Sequence, residues 1–379
     1  MRIGLILINN DIGGSERQYA NFFSYVSSIS SHDYTLIIPN GLFNDLCDQG
    51  ILSERYQNVE RIFRRFPYHI YNDLAKIRIR GHRLPGITLS LTPILRCQLL
   101  SRETADLISK FDIVHFCVTN PVLFMPKDKI VLLDEANSQS AHKLSSQVLS
   151  WLKNGAYINC ISETIAQSYK RAVSDPKVSE RVFTAPCSFT DYSKVFIARK
   201  ERLVAFVARM EKVKHPEIFA AAISILAKYR NDFRAVMLGR GRLDRKIDSL
   251  IAKNKLGHVL QRFYTPRPLE ILSRAAIFVS IQEFDNYSSQ SLMEAMASGC
   301  AVVASDHGET GKLVTDDTGF RVPLSAEAVA ERLDYMLNHF DDTIAMGLQA
   351  RKKVMQEHTI ERYVSYLEGV YERIVSRPM

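Results

Sequence analysis

Apolar residues in this chain come in short blocks with the length and β-branched content of buried strands. Between them lie longer stretches whose apolar positions recur with the helical period. Ile3–Ile8 opens the series, and a helix that buries Tyr19, Phe22, Phe23 and Val26 follows. Further strands are predicted at Tyr34–Ile38, Ile113–Phe116, Ile130–Leu133, Tyr157–Ile161, Leu203–Val207 and the run that ends in Val236-Met237-Leu238. The most informative stretch is Ile277–Ser305. It has an apolar run Ile277–Ile281, a polar turn, an amphipathic helix Leu292–Ser298 that stops at Gly299, and a second apolar run Ala301–Ala304. This alternation predicts parallel sheets covered by helices, the α/β class. Near the end, Ile360, Tyr363, Val364, Leu367, Val370, Tyr371 and Ile374 form one helical stripe, a packing face rather than a cofactor site.

At 379 residues the chain has room for two domains, each with its own core. In a strand–helix–strand unit the helix start points past the carboxyl end of the strand, where free N–H groups and the helix dipole favour an anion. Ser288, Ser289, Gln290 and Ser291 stand at such a start. Glu294 reads two ways, as the acidic member of a capping box begun by Ser291 or as a ligand residue. Gly13 and Gly14 follow the first strand, where a glycine pair lets a ligand approach the backbone. Taken alone, the pair is equally an ordinary turn. Arg209 and Lys214 follow the strand Leu203–Val207, and the Gly239-Arg240-Gly241 turn follows the next one.

Charge and cysteine content narrow the class. The net charge is +8, with Arg55, Arg61, Arg64, Arg65, Lys76, Arg78, Arg80, Arg83, Arg96 and Arg102 set against Glu60 and Asp73. Phe63, Phe66, Tyr68 and Tyr71 are interleaved with them. Such a stretch suits an anionic membrane surface or reads as a solvated basic face. Nucleic acid is not expected, because the signatures of nucleic-acid-binding folds are missing. Leu84–Leu100, with Ile87, Leu89 and Leu91 alternating, reads as a core strand or as a membrane-facing lip. The six cysteines have no metal-site spacing and read as reduced thiols of a cytoplasmic protein. The chain starts on a strand without a signal peptide, and no apolar run reaches spanning length.

The order Glu-Ala-Met-Ala-x-Gly-x-x-Val-Val-Ala-Ser over 294–305 resembles the nucleotide-sugar site of retaining GT-B glycosyltransferases of the large family-four group. Gly-Gly-Ser-Glu-Arg-Gln at 13–18, Arg209 with Lys214 five residues on, and the Gly-x-Gly turn at 239–241 are similar to other landmarks of that family. The resemblance implies a GT-B fold, two Rossmann-like parallel-sheet domains facing across a cleft. It implies an acceptor-binding domain at 1–195, a nucleotide-sugar domain at 196–358 with the linker near Asp191–Arg202, and a helix at 359–379 crossing back to the first domain. The implied reaction moves a sugar from a nucleoside-diphosphate donor to an acceptor hydroxyl with retention, in cell-surface polysaccharide or glycolipid assembly. The acceptor would be a glycan or lipid-linked molecule, and the enzyme would be cytoplasmic or peripheral on the inner face of the membrane. Arg209 and Lys214 would grip the diphosphate, aided by the helix start at Ser288–Ser291, and Glu294 would hold the ribose. Gly13, Gly14, Gly239 and Tyr264 would line the donor.

Two departures stand out. The family's first glutamate falls on Asn286, which makes Asn286, Glu283 and Asp285 the candidate sugar contacts, and a family histidine falls on Cys117. No Asp-x-Asp sequence is present. No cofactor or metal is expected, because a helix dipole and two cations can do a metal's work on the leaving group. The departures leave a second reading open, a non-catalytic GT-B module that binds a nucleotide sugar or glycan for a partner enzyme.

Overall fold

In the computed structural model, residues 1–8, 12–62, 78–79, 82–83, 106–117, 125–126, 128–136, 144–287 and 289–376 are described. Ser288, Leu84–Leu100 and most of the basic stretch lie outside them. The chain divides into two units, Met1–Pro186 with Ile360–Met379, and Cys187–Thr359. The second unit therefore starts before Asp191–Arg202. Local bonds explain this: Ser188 N donates to His358 Nδ1 at 3.2 Å, and Phe189 O accepts from Gln290 Nε2 at 3.0 Å.

The first unit contains the strands β1 (Arg2–Ile6), β2 (Asp33–Pro39), β3 (Val59–Ile62), β4 (Arg78–Ile79), β5 (His82–Arg83), β6 (Ile113–Phe116), β7 (Ile130–Glu135), β8 (Tyr157–Cys160) and β9 (Val182–Thr184). Seven of them form one sheet of order β3-β2-β1-β6-β7-β8-β9. All its pairings are parallel. The remaining two, β4 and β5, make a small antiparallel pair apart from it. Arg61 is engaged locally, bonded to Glu54 with its guanidinium 3.8 Å from the Phe43 ring centroid.

The second unit contains β10 (Glu201–Val207), β11 (Arg234–Leu238), β12 (Leu260–Phe263), β13 (Ala275–Ser280), β14 (Ala301–Ser305) and β15 (Gly319–Val322). They form a six-stranded parallel sheet of order β12-β11-β10-β13-β14-β15. Successive side chains of a strand point to opposite faces. Accordingly Val204 and Phe206 join one core cluster with Phe219, Ile223 and Leu333, whereas Leu203 and Ala205 join another with Leu292, Met296 and Val354. With both faces covered by helices, the strands are apolar throughout, which is why they read as continuous runs.

The helix Ile360–Ser376 belongs to the first unit and buries Tyr363, Val364, Leu367, Val370, Tyr371 and Ile374. Its polar groups are engaged no less than its apolar ones. Asp134, at the end of β7, is 2% exposed and takes donors from Tyr19 Oη and, at 2.6 Å, Asn159 Nδ2. His115 Nε2 lies 2.9 Å from the same carboxylate. On its other side His115 Nδ1 meets Tyr371 Oη at 2.6 Å, and Tyr366 Oη donates to Asn159 Oδ1 at 2.8 Å. Among the described residues Tyr371 Oη has no other hydrogen-bond partner. His115 is thus the buried link between β7 and the last helix.

Tyr371→Phe leaves His115 Nδ1 buried without its hydrogen-bond partner. A loss of roughly 1–3 kcal/mol is expected, seen as a fall of about 2–12 °C in the unfolding of the first unit. Calorimetry, with hydrogen exchange to resolve the two units, checks this; an unchanged transition would show that the bond contributes nothing.

Candidate functional site

The second sheet changes direction between β10 and β13. From β10 the chain builds outward through β11 and β12, and from β13 it builds the other way through β14 and β15. At such a switch point the connections leave in opposite directions, and the carboxyl ends of the two strands border an open crevice. Two loops flank it, Ala208–His215 after β10 and Ile281–Ser289 after β13.

The first loop is held by its neighbour. Ala208 N donates to Leu238 O at 3.1 Å, Met210 N to Arg240 O at 3.1 Å, and Leu243 N to Met210 O at 2.9 Å. The turns after β10 and β11 therefore interleave, and Gly239 meets a steric limit there. Its φ is 144°, and an added Cβ would lie 2.0 Å from Ala208 O. Lys212–Lys214 then form a 3-10 turn, and His215 takes a left-handed φ of 42° that redirects the chain into the helix Pro216–Leu226. Proline at the first helical position is preorganised for that start.

This path carries two cations to the crevice. Arg209 is exposed, and among the described residues its guanidinium has no hydrogen-bond or ion-pair partner. Lys214 is half-buried and donates from Nζ to Gln282 Oε1. Burial, with the Arg209 charge beside it, pulls the Lys214 ammonium down to about 8. Lys214 is therefore close to giving up its proton near neutral pH, and an anion placed against it would restore the charge.

The second loop separates the candidate sugar contacts by their surroundings. Asn286 is 0% exposed; its Oδ1 accepts from Ser280 Oγ at 2.7 Å, and its Nδ2 donates to Ser305 Oγ at 2.8 Å and Ser305 O at 3.2 Å. Its amide is thus bonded on both sides within the unit. Asp285 is also turned inward, accepting from the amides of Tyr287 and Glu309 at 2.8 and 2.9 Å. Burial pushes its carboxyl up, against the pull of those two amides. Glu283 differs from both. It is exposed, and its backbone N donates to Val213 O at 3.0 Å, which ties the two loops together.

The next helix runs Gln290–Ala297, starting two residues before the expected Leu292. Its N-cap is Ser289, whose side chain makes no capping bond and instead meets Ser291 Oγ at 3.3 Å. Among the described residues, the N-cap side chain thus does not consume the N-terminal amides. Glu294 lies more than one turn inside, which removes the capping-box alternative begun at Ser291. Gln290 is spent on Phe189 O. Beyond β12, Tyr264 is 51% exposed, with the Arg240 guanidinium 4.2 Å from its ring centroid.

In the first unit, Gly13 and Gly14 do not present a free helix start. Gly13 N donates to Glu16 Oε2 at 2.7 Å, and Glu16 is 4% exposed. The Gly13 amide is thus already paired with a carboxylate of its own helix. Among the described residues no group of three His, Cys, Asp or Glu side chains could hold a metal. Two features escaped the sequence reading, the Gln282 acceptor and the Val213–Glu283 tie. Neither residue has a motif to announce it.

The sequence profile of the family described as Glycosyl transferases group 1 matches residues 189–353. A curated relative, D-inositol 3-phosphate glycosyltransferase of Corynebacterium aurimucosum, is 30% identical over 185 residues, 46% of this chain and 44% of the relative. The chain thus spans less than half the length of that relative. Among solved structures, S. aureus TarM in complex with Fondaparinux, alpha-GlcNAc-glycerol and UDP superposes with a TM-score of 0.75 at 12% identity, covering 99% of this chain and 100% of that one. Anabaena HepE in complex with UDP and glucose gives 0.73 at 14% identity, with full coverage of both chains. These likenesses show the fold, two Rossmann-like parallel-sheet domains of the GT-B type.

Gly239→Ala combines an unfavourable φ with a collision against a main-chain oxygen. A destabilisation of at least roughly 1–3 kcal/mol is expected, together with displacement of the Arg209 turn. Urea unfolding checks the first effect, and an unchanged midpoint would contradict the interleaved-turn account.

Proposed function

We propose that this chain is a member of the glycosyl transferases group 1 family, whose profile matches residues 189–353, and that it transfers a sugar from a nucleoside-diphosphate donor to an acceptor hydroxyl with retention at the anomeric carbon. The observation that carries this reading is that the two strands of the switch point, β10 and β13, are followed by Arg209 and Lys214 on one side and by the helix Gln290–Ala297 on the other, with Lys214 bonded across to Gln282. Sugar transfer from such a donor breaks the bond between the anomeric carbon and the diphosphate, so negative charge grows on the departing oxygen. Two cations and a helix dipole aimed at that oxygen stabilise the transition state more than the ground state. Arg209 contributes a fork of donors and Lys214 a compact charge.

Glu294 is assigned to the ribose hydroxyls. Glu283 is assigned to the sugar, since it is exposed whereas Asn286 and Asp285 are bonded internally. UDP is the first nucleotide to try, because S. aureus TarM and Anabaena HepE were solved with it. A glycan or lipid-linked acceptor in surface polysaccharide or glycolipid assembly is proposed alongside. Attachment to an anionic membrane through the basic Arg55–Arg102 stretch is proposed as well, and vesicle binding at low salt tests it. Among the described residues no helix is long and apolar enough to cross a membrane.

The test is a thermal-shift screen of UDP, GDP, ADP and their sugar conjugates on the wild type and on Arg209→Ala. A ligand that binds the folded protein at 100 times its Kd adds about 2.7 kcal/mol of stability. Removing Arg209 should cost about 10- to 100-fold in affinity, the worth of charge-assisted bonds to phosphate. Turnover is expected to persist in excess EDTA, and NMR of the product reads its anomeric configuration. If no nucleotide shifts the wild type at millimolar concentration, the reading fails. Binding without turnover over a range of acceptors would favour the non-catalytic module.

A further inference from the structure

Gln282 lies just beyond β13, 6% exposed, and each of its polar groups is engaged. Its backbone N donates to Ser305 Oγ at 3.1 Å, and its backbone O accepts from the same hydroxyl at 2.9 Å. Its side-chain Nε2 donates to Asp285 O, and its Oε1 accepts from Lys214 Nζ. The orientation of this amide is not arbitrary. A main-chain carbonyl can only accept and an ammonium can only donate, so the NH2 must face Asp285 and the oxygen must face Lys214.

We propose that Gln282 is the positioning residue of the leaving-group site, holding the Lys214 ammonium charged and aimed beside Arg209 before the nucleotide diphosphate arrives. The proposal rests on the diphosphate reading given above. Lys214 needs such a partner for two reasons. Its long stem has many rotamers, and an unheld amine would lose freedom only when the ligand binds, at the expense of affinity. Burial and the Arg209 charge both favour the neutral amine. A neutral acceptor offsets this without cancelling the charge, whereas a carboxylate at position 282 would form an ion pair and compete with the phosphate.

Other charged groups near the lysine are engaged elsewhere or face solvent. On its own loop Glu211 lies 3.9 Å from Arg242, and His215 lies 3.8 Å from Glu217 of the following helix. Lys212 is exposed. On the facing loop Glu283 is exposed and Asp285 is bound to the two amides. Burial and the Arg209 charge thus act on Lys214 from one direction, and Gln282 is the acceptor that its ammonium meets.

The experiment has two arms on the full chain, comparing the wild type with Gln282→Met, which removes the acceptor at similar size, and Gln282→Glu, which keeps its shape and adds charge. The first arm follows the Lys214 side-chain signal by NMR against pH without ligand. The second measures UDP affinity by calorimetry over the same pH range, with the melting temperature of each protein recorded. Lys214 loses its charge as pH rises, so wild-type affinity should be highest below about 8 and fall above it. In Gln282→Met both breaks should move down by about one unit, the scale of a lost hydrogen bond to a charged group, with about 10-fold weaker UDP binding between the two breaks. In Gln282→Glu the lysine break should move up, and UDP should bind more weakly at every pH. A merely structural glutamine would lower the melting temperature and leave the breaks in place, which overturns the proposal. A lysine break that moves while UDP binds none of the proteins overturns it as well, and locates the failure in the diphosphate reading.

Discussion

The candidate site depends on one constraint of chain geometry, that β10 and β13 are parallel neighbours whose onward connections diverge. A sheet that grew in one direction would carry each connection over the end of the next strand. Here the reversal keeps the two loops apart at their strand ends while a single backbone bond, Glu283 N to Val213 O, spans them. Arg209 and Lys214 come from one side, and the start of the helix Gln290–Ala297 comes from the other.

The environment of these groups divides the labour among them. Asn286, Ser305 and Thr310 form an internal polar cluster that anchors the second loop to β14 and to the 3-10 turn Thr310–Lys312, with Asn286 N donating to Thr310 Oγ1 at 3.1 Å. Asp285 caps amides of the same region. These groups give the loop its shape, which leaves Glu283 and the helix amides facing outward. The far end of that helix is treated oppositely. Arg351 donates to Ala297 O, and Lys200 Nζ donates to Ser298 O at 2.6 Å and Ala275 O at 2.8 Å. Cations at the C-terminus and an uncapped N-terminus both suit the helix dipole.

The first unit solves a different problem, fastening the last helix of the chain to the first sheet. An apolar stripe alone would hold the helix without fixing its rotation or register closely. The bonds from Tyr371 to His115 and from Tyr366 to Asn159 are directional, and His115 and Asn159 both address the buried Asp134. A network of this kind is favourable only when every member is satisfied, so it penalises any shifted docking of the helix.

Much of the fold was legible in the residues themselves. β6 falls where its apolar run predicts, and the other strands that were predicted differ from their bounds by a residue or two, because a strand buried on both faces is apolar from end to end; the short strands β3, β9, β12 and β15 were not predicted. That Arg209 and Lys214 follow β10 on one loop was legible as well, since spacing after a strand is a local property. The helix start was misjudged because Gln290 and Ser291 carry no apolar signal. Asn286, Asp285 and Gln282 are polar neighbours that look alike in one dimension. Only the packing of β13 against β14 buries the first, turns the second onto the amides of Tyr287 and Glu309, and aims the third at Lys214. Sequence by itself determined which segments could form the sheets and which residues had the chemistry to meet a diphosphate, because both follow from local periodicity and residue type. Which of those residues stay exposed and which are consumed in holding the loop was decided by the tertiary structure alone, because hydrogen-bond partners distant in the chain compete for the same few polar atoms.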